Sequence, residues 1–246
     1  MEINNLSATF RPLISVITVT LNAEKHLERC IKSVLEQEYV FIEHIIMDGG
    51  STDGTLDILS KYDEQLACWK SEPDTGIYNA MNKALKHAKG DWIYFLGADD
   101  FLYPGFSDMI SVMEGDRTIY YGNCLWGTTV LGRTFTPLRL ATDCICHHSI
   151  FYPRKVFMKY QYNENYKVSA DYYLNIQCWT DKDFNTVYYP YLIANFSQGG
   201  VSENTEDKAF IADFPRILKK HLSMKDYLSL MYQQYKERKR LRKQQP

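Results

Sequence analysis

The chain has no run of about 18 apolar residues, the minimum for a helix that crosses a bilayer, so a membrane-spanning helix is not expected. Its first residues, M-E-I-N-N-L-S-A-T-F-R-P, lack the basic-then-apolar order of a secretory signal, and no such signal is expected. Glycine is missing where nucleotide-binding loops need it. No G-x-G-x-x-G follows the first predicted strand, where T-L-N-A-E stands instead, and G-x-x-x-x-G-K-[ST] occurs nowhere. These absences exclude the dinucleotide fingerprint and the P-loop as ways of holding phosphates. Internal repeats and low-complexity linkers are absent too. The six cysteines (Cys30, Cys68, Cys124, Cys144, Cys146 and Cys178) are scattered, several within apolar patterns. Reduced, buried thiols in an intracellular protein are the expectation.

What is present is a globular composition: 246 residues, 45% apolar and 24% charged, enough for one domain with a substantial core. The net charge of −2 conceals an uneven distribution. From Arg216 onward there are ten Lys/Arg against two Asp/Glu, and before it 18 against 28. A basic tail on an acidic body points to a separate, anionic partner for the tail.

Strands and helices alternate through the first hundred residues. Leu13 to Thr20 is β-branched and reads as a strand, with Asn22 as the N-cap of a helix carrying Leu27, Cys30, Ile31, Val34 and Leu35 at helical spacing. A strand from Ile42 to Met47 runs into D-G-G-S-T-D-G. There Ser51, Thr52 or Asp53 can cap the next helix, and Asp53 is read as a cap rather than a ligand. A short strand near Cys68 leads to S-E-P-D-T-G and a helix with Ile77, Ala80, Met81, Ala84, Leu85 and Ala88 on one stripe, closed by Lys89-Gly90. Trp92 to Leu96 is wholly apolar and too short for a helix, which predicts a strand buried on both faces. Such alternation implies right-handed βαβ units and a mostly parallel sheet.

Beyond Asp100 the pattern loosens. A helix from Pro104 to about Met113, a hairpin of Thr118–Trp126 and Thr128–Phe135 around Gly127, and an extended segment over 141–152 are predicted. A short helix from Pro153, a helix over Asp171–Trp179, a strand over Thr186–Asn195 and closing helices over Thr205–His221 and Lys225–Lys243 follow. The second half is expected to extend the first half's sheet and cover its open edge.

Four polar clusters fall at predicted strand ends: Thr20-Leu21-Asn22, Asp48-Gly49-Gly50, Glu72-Pro73-Asp74 and Asp99-Asp100. In a parallel sheet these ends share one rim, the place where ligands bind. Asp99 and Asp100 have no cation beside them in sequence, and like charges that close need water, a cation or a metal to stay ionised. That makes them a candidate hard-cation site. In C-I-C-H-H, an extended strand would put Cys144, Cys146 and His148 on one face, compatible with zinc. No second Cys/His cluster completes such a site, so buried thiols beside one functional imidazole, His147 or His148, is the preferred reading.

The runs I-S-V-I-T-V-T-L-N-A-E, I-I-M-D-G-G-S-T-D-G-T, S-E-P-D-T-G-I-Y-N-A-M-N-K-A and F-L-G-A-D-D, in that order over about residues 13–104, resemble the family 2 inverting glycosyltransferases, which have the GT-A fold. The resemblance thins in the second half to H-H-S-I-F-Y-P-R, A-D-Y-Y-L and Q-G-G-V-S. It implies a nucleotide-diphosphate sugar donor, UDP-sugar favoured. Thr20, Asn22 and Asp48 would hold the nucleobase, Asp48 accepting from a base N–H. Asp74, Asn82 and Lys83 would edge the donor pocket, and Asp99 would meet the ribose or a metal-bound water. Asp100 would bind Mn²⁺ or Mg²⁺, with Asp99 as the other metal-site residue, and His148 would contact the diphosphate or the acceptor. Asp171 matches the catalytic base, since an inverting transfer needs a carboxylate to take the proton from the attacking hydroxyl. The chain departs from the pattern at Gly97, where many members carry a further aspartate.

The resulting expectation is an α/β GT-A domain over residues 1–222, with a nucleotide-sugar half at about 13–104 and an acceptor and catalytic-base half at about 105–204. A basic helical tail follows at 223–246. The implied activity is metal-dependent transfer to a glycan or polyprenyl-linked acceptor in bacterial surface polysaccharide biosynthesis. The implied location is cytoplasmic, peripheral at the inner face of the cell membrane. The tail's apolar side (Leu218, Leu222, Leu228, Met231, Tyr232, Tyr235) and basic K-E-R-K-R-L-R-K run fit either packing on the body or contact with anionic lipid. Nucleic acid is not an expected partner, because stacking aromatics are not spaced through the basic run. Two rivals are a nucleotidyltransferase that makes sugar nucleotides and a non-catalytic sugar-nucleotide binder.

Overall fold

The computed structural model describes residues 11–200 and 205–244. Val201 and Ser202 of Q-G-G-V-S, with residues 1–10 and 245–246, lie outside the described residues. A nine-stranded sheet is built around β1 (Ile14–Thr20) and β4 (Trp92–Phe95). Alternate side chains of β4 serve opposite faces. Ile93 and Phe95 join an apolar cluster with α3 (Ile77–Leu85) and α6 (Ala170–Thr180). Trp92 and Tyr94 join another with α1 (Leu27–Leu35) and α4 (Gly105–Ser111). Both faces being covered is why this strand tolerates no polar position.

Parallel pairing puts the first half's strand ends on one rim. β2 (Ile42–Asp48) pairs with β1 so that Thr20 faces Asp48, and β3 (Cys68–Ser71) pairs with β2 so that Asp48 faces Ser71. β4 lies on β1's other side. α2 (Thr55–Lys61) packs beside α1, sharing a small cluster of Leu27, Ile31 and Leu59. The expected extension by the second half is observed, but some of its strands run against β4. β8 (Ile150–Pro153) runs antiparallel to β4, and β6 (Thr118–Trp126) antiparallel to β8. β9 (Asn185–Phe196) is parallel to β6, and a two-residue strand, β5 (Phe101–Leu102), is antiparallel to β9. β7 (Thr129–Leu131) completes a hairpin with β6 across Gly127, whose φ of 59° requires glycine-like freedom. The sheet is therefore mixed rather than mostly parallel: β8, inserted between β4 and β6, runs against both, and β5 and β7 run against β9 and β6. α5 (Arg154–Lys159) follows β8, and α7 (Lys208–His221) and α8 (Met224–Gln244) close the chain.

Four local expectations change. Asn22 does not cap α1. It adopts a left-handed conformation (φ 52°), its side chain accepts from Thr52 N at 2.9 Å, and α1 starts at Leu27. Asp53 does act at the start of α2, accepting from Thr55 N at 3.0 Å. Residues 141–152 are not continuously extended: a tight turn at His147–Ser149 precedes β8, so Cys144, Cys146 and His148 do not form one strand face. Cys124 and Cys146 are joined as a disulfide, which corrects the expectation of six free thiols. Gly90 is not the C-cap of α3, which ends at Leu85.

Gly90 instead lets the chain pass β1. A Cβ there would lie 2.5 Å from Ser15 N and 2.9 Å from Leu13 O, both backbone atoms with little room to move. Gly90→Ala is expected to lose about 1–3 kcal/mol of stability by overpacking. Urea denaturation of the variant beside the native chain measures it.

Candidate active site

The rim at the ends of β1, β2 and β3 is organised by Asp48, which is 1% exposed. Its carboxylate accepts from Gly50 N (3.0 Å), Ser51 N (2.9 Å), Ser71 Oγ (2.6 Å) and the Ser51 hydroxyl. These four donors match the acceptor capacity of a carboxylate. Asp48 was expected to accept from a base N–H; here it shapes the D-G-G-S turn. Across the register from it, the buried Thr20 Oγ1 has no partner. Asn22 N donates to Ser51 Oγ at 2.7 Å, closing the same loop pair. Asp74 reaches this rim as well: its Oδ1 accepts from Gly76 N, and its Oδ2 lies so close to Gly49 that a Cβ there would sit 2.6 Å away.

Two residues assigned to the pocket edge hold other parts together. Asn82 donates to Tyr162 O (3.0 Å) and Glu164 Oε1 (2.8 Å) and accepts from Tyr162 N, tying α3 to the 162–164 segment. Lys83 pairs with Glu72 at 2.8 Å and donates to Pro73 O, fixing the S-E-P-D turn.

At the end of β4 the two aspartates differ. Asp100 is 1% exposed: Oδ1 accepts from Ser197 N at 2.7 Å, and Oδ2 lies 2.8 Å from His148 Nδ1 as an ion pair whose geometry is not that of a hydrogen bond. Burial alone would raise its pKa, but the charge and contact of His148 and the hydrogen bonding from Ser197 outweigh burial and lower it. Burial likewise opposes charge on His148, but Asp100 overcomes it and raises the imidazole, helped by Asp99 and Asp171. Asp99 is half-buried, and burial and then the Asp100 charge raise it. No hydrogen bond or ion pair to its carboxylate is seen among the described residues, although Arg29 holds its backbone carbonyl at 2.7 Å. The absent aspartate at Gly97 also has a steric reason. A Cβ there would press on Asp100 Oδ2 and lie 3.1 Å from Asp99 Oδ1. Asp100 occupies that space itself.

Asp171 stands in the first turn of α6, partly exposed, and Tyr78 Oη donates to its Oδ1 at 2.7 Å. Burial raises the Asp171 pKa, against the lowering effects of the Tyr78 bond, the Tyr172 N–H and the His148 charge. Tyr78 is itself pushed up by burial and the Asp171 charge, so it remains the donor. His148 thus acts electrostatically on Asp99, Asp100 and Asp171, which brings the two ends of the site together. His147 is excluded from charge chemistry: burial pushes it down to about 3, and it stacks on Phe95 and bonds Tyr162 Oη at 2.8 Å.

Tyr78 and Ser197 were not anticipated. Tyr78 lies in the quoted T-G-I-Y-N run beside the apolar stripe of its helix, and 93 residues separate it from Asp171. Ser197 contributes a backbone N–H, which no residue type announces. A surface cleft of about 560 Å³ along α1, lined by Glu24, Arg29, Lys32 and Phe101 among others, contains none of the anticipated site residues.

Removing one partner of a buried ion pair leaves an uncompensated charge. His148→Ala is therefore expected to lose about 3–5 kcal/mol in chemical denaturation, and His148→Gln, which retains a donor, to lose less.

Comparison with known proteins agrees with this geometry. The family described as Glycosyl transferase family 2 matches residues 15–173. A curated PGL/p-HBAD biosynthesis glycosyltransferase of Mycobacterium tuberculosis is 34% identical over 220 residues, covering 83% of this chain and 84% of the relative. The putative teichuronic acid biosynthesis glycosyltransferase TuaG of Bacillus subtilis is 44% identical over 94 residues, 37% of each chain. Among solved structures, S. aureus TarS 1-349 in complex with UDP superposes with a TM-score of 0.66 at 17% identity, covering 89% of this chain and 70% of that one. The mannosyltransferase PcManGT from Pyrobaculum calidifontis, in complex with GDP-Man and Mn²⁺, superposes with a TM-score of 0.65 at 16% identity, covering 91% and 69%. The two structures share the fold, and the sequence matches carry the assignment: the chain is a glycosyltransferase with the GT-A fold and belongs to glycosyl transferase family 2.

Proposed function

We propose that this glycosyltransferase moves a sugar, with inversion, from a nucleoside-diphosphate donor to a hydroxyl of a glycan or polyprenyl-linked acceptor in bacterial surface polysaccharide or glycolipid assembly. The observation that carries the reading is the Asp171 carboxylate, partly exposed, oriented by Tyr78 and raised by burial, within the electrostatic reach of the His148–Asp100 pair. A UDP-sugar donor is supported by TarS binding UDP, although PcManGT binds GDP-Man. The surface-glycan role rests on the names of the mycobacterial and Bacillus relatives. No helix among the described residues is long and apolar enough to cross a membrane. We assign the enzyme to the cytoplasm, peripheral at the inner face of the cell membrane.

Within this mechanism Asp171 takes the proton from the acceptor hydroxyl as that oxygen attacks the anomeric carbon, opposite the departing diphosphate. Tyr78 fixes which carboxylate oxygen faces the acceptor. Thr20, through its unpartnered hydroxyl, and Asn22 contact the nucleoside, Asp48 and Asp74 shape the turns around it, and Asn82 and Lys83 support the pocket from behind. Among the described residues no group of three or more His, Cys, Asp or Glu side chains is placed to hold a metal ion, so a divalent cation would take most of its ligands from the donor's phosphates. The Asp99 carboxylate has the unsatisfied charge, whereas Asp100 is engaged on both oxygens, so Asp99 would hold Mn²⁺ or Mg²⁺ together with the donor's own phosphates. When bound, the cation stabilises charge on the leaving diphosphate. A protonated His148, favoured by Asp100, would add positive charge to this end of the site.

Asp171→Asn is expected to lower kcat by about 10²–10⁴-fold or more. Its stability should change in the opposite direction. The folded-state pKa of Asp171 lies above the unfolded value of about 3.9. Its contribution to stability is therefore fullest below that value and is lost as pH rises through the folded one. At neutral pH the ionised carboxylate weakens the fold, so thermal unfolding at pH 7 should show Asp171→Asn at or above the native chain. Tyr78→Phe deletes a bond that lowers the Asp171 pKa, so the acid limb of its kcat profile should move to higher pH. An unchanged limb would separate Tyr78 from the base.

A thermal-shift panel of UDP-, GDP- and dTDP-sugars with and without Mn²⁺ tests the donor. UDP-sugar with Mn²⁺ at about 100 times its dissociation constant should stabilise by about 2.7 kcal/mol. Release of free nucleoside diphosphate on incubation supports transfer; pyrophosphate-dependent triphosphate formation would support the nucleotidyltransferase instead.

A further inference from the structure

α8 leaves an apolar stripe in water. Its inward side is anchored by Leu230, 2% exposed, and Tyr227, which join the cluster containing Leu218 and Leu222. Outward, Met224, Leu228, Met231, Tyr232 and Tyr235 are 73%, 60%, 45%, 58% and 61% exposed. No other described helix or strand exposes more than one large apolar side chain, so the concentration belongs to this helix. At 3.6 residues per turn the five fall within an arc of about 100°. Lys225 and Lys236 border that arc, and the Lys236 ammonium lies 4.5 Å from the Tyr232 ring centroid. The only acid among α8 residues 224–236, Asp226, falls on the opposite side of the helix.

We propose that this stripe is a docking surface for an anionic lipid bilayer, with α8 lying along the interface. The proposal deepens the membrane-peripheral location assigned above. An apolar arc bordered by lysines is the arrangement that buries aliphatic and aromatic groups at the headgroup boundary while the ammonium groups reach lipid phosphates. Charge selects the occupant. From Lys236 to Lys243 the chain reads K-E-R-K-R-L-R-K, six basic residues and one acid, and Lys219 and Lys220 at the end of α7 are exposed. Two copies meeting through this surface would bring like charges together, whereas an anionic bilayer neutralises them. Before Arg216 the chain carries 18 basic and 28 acidic residues, so the same bilayer repels the body and orients the molecule tail-first. The link to the site is direct in the fold. Asp207, the N-cap of α7, accepts from Val168 N (3.0 Å) and Ser169 N (3.1 Å), immediately before the helix that bears Asp171. α6, α7 and α8 share one apolar cluster, so the docking helix packs into the same layer as the base-bearing helix.

Flotation of the full chain with phosphatidylcholine vesicles, with and without about one-third phosphatidylglycerol, tests this. Expected are binding to the anionic vesicles, at least tenfold weaker binding to the neutral ones, and at least tenfold weaker binding of the Leu228→Ser/Tyr235→Ser double variant to anionic vesicles. Both substituted side chains are exposed, so circular dichroism and thermal unfolding of the variant should match the native chain. Equal binding of the double variant would overturn the stripe as the docking surface. Concentration-dependent dimerisation that the same substitutions abolish would assign it to a second copy instead. A nucleic-acid oligonucleotide that binds through the stripe more tightly than the vesicles do would also overturn it. Donor turnover without vesicles should be unchanged in the double variant. That readout separates failure of lipid docking from failure of the transferase reading.

Discussion

A buried carboxylate holds the two halves of this enzyme in register. Asp100 follows β4 at the end of the first half of the chain, yet its partners, His148 and Ser197, belong to the turn before β8 and the segment after β9. A carboxylate excluded from water is unstable without such partners, so the fold can close only where a cation and a backbone donor meet it. Tyr94, within β4, makes a second connection to the same turn, donating to His148 O at 2.5 Å. Together these contacts set the position of the return strands against the parallel core. They also determine which of the two adjacent aspartates remains available to a ligand.

That closure creates the electrostatic layout of the site. Asp100 raises the His148 pKa against burial, and in its charged form the imidazole favours ionisation of Asp99 and Asp171 without touching either. Asp171 sits at the opposite balance, with burial raising it and only partial relief from Tyr78 and His148. A carboxylate kept uncomfortable in this way accepts a proton more readily than one fully satisfied by the protein. The comparison with Asp48 is instructive. Its carboxylate accepts four hydrogen bonds from the protein, whereas the Asp171 carboxylate accepts from a single side chain, Tyr78.

Legibility in the sequence followed the range of the interactions. β1 and β4 could be read because their burial on both faces demands unbroken apolar runs, and α6 because Asp171 begins a helical pattern after a loop. The convergence of Thr20, Asn22, Asp48 and Asp74 followed from parallel topology alone, and the register of Thr20 on Asp48 and Asp48 on Ser71 realises it. What was not legible is carried by contacts between distant segments. The reversal at β8, the turn that breaks the C-I-C-H-H strand, the Cys124–Cys146 link and the Tyr78–Asp171 bond each depend on where the second half lands. Asn82 and Lys83 illustrate the same limit: their motif could be recognised, but their partners, Glu164 and Glu72, could not.

Gly97 shows how a missing side chain can be a packing requirement. Read as a string, F-L-G-A-D-D has one carboxylate fewer than many relatives, which weakens the case for a metal. In the fold, the space a side chain would take at Gly97 is filled by Asp100, drawn inward by His148 and Ser197. A second aspartate there would set like charges against each other in a buried space that already contains one. The arrangement therefore puts a protein-held ion pair where many relatives carry a further carboxylate. In the proposed reading a metal at Asp99 would take its remaining ligands from the substrate's phosphates, so metal and donor should bind as a unit.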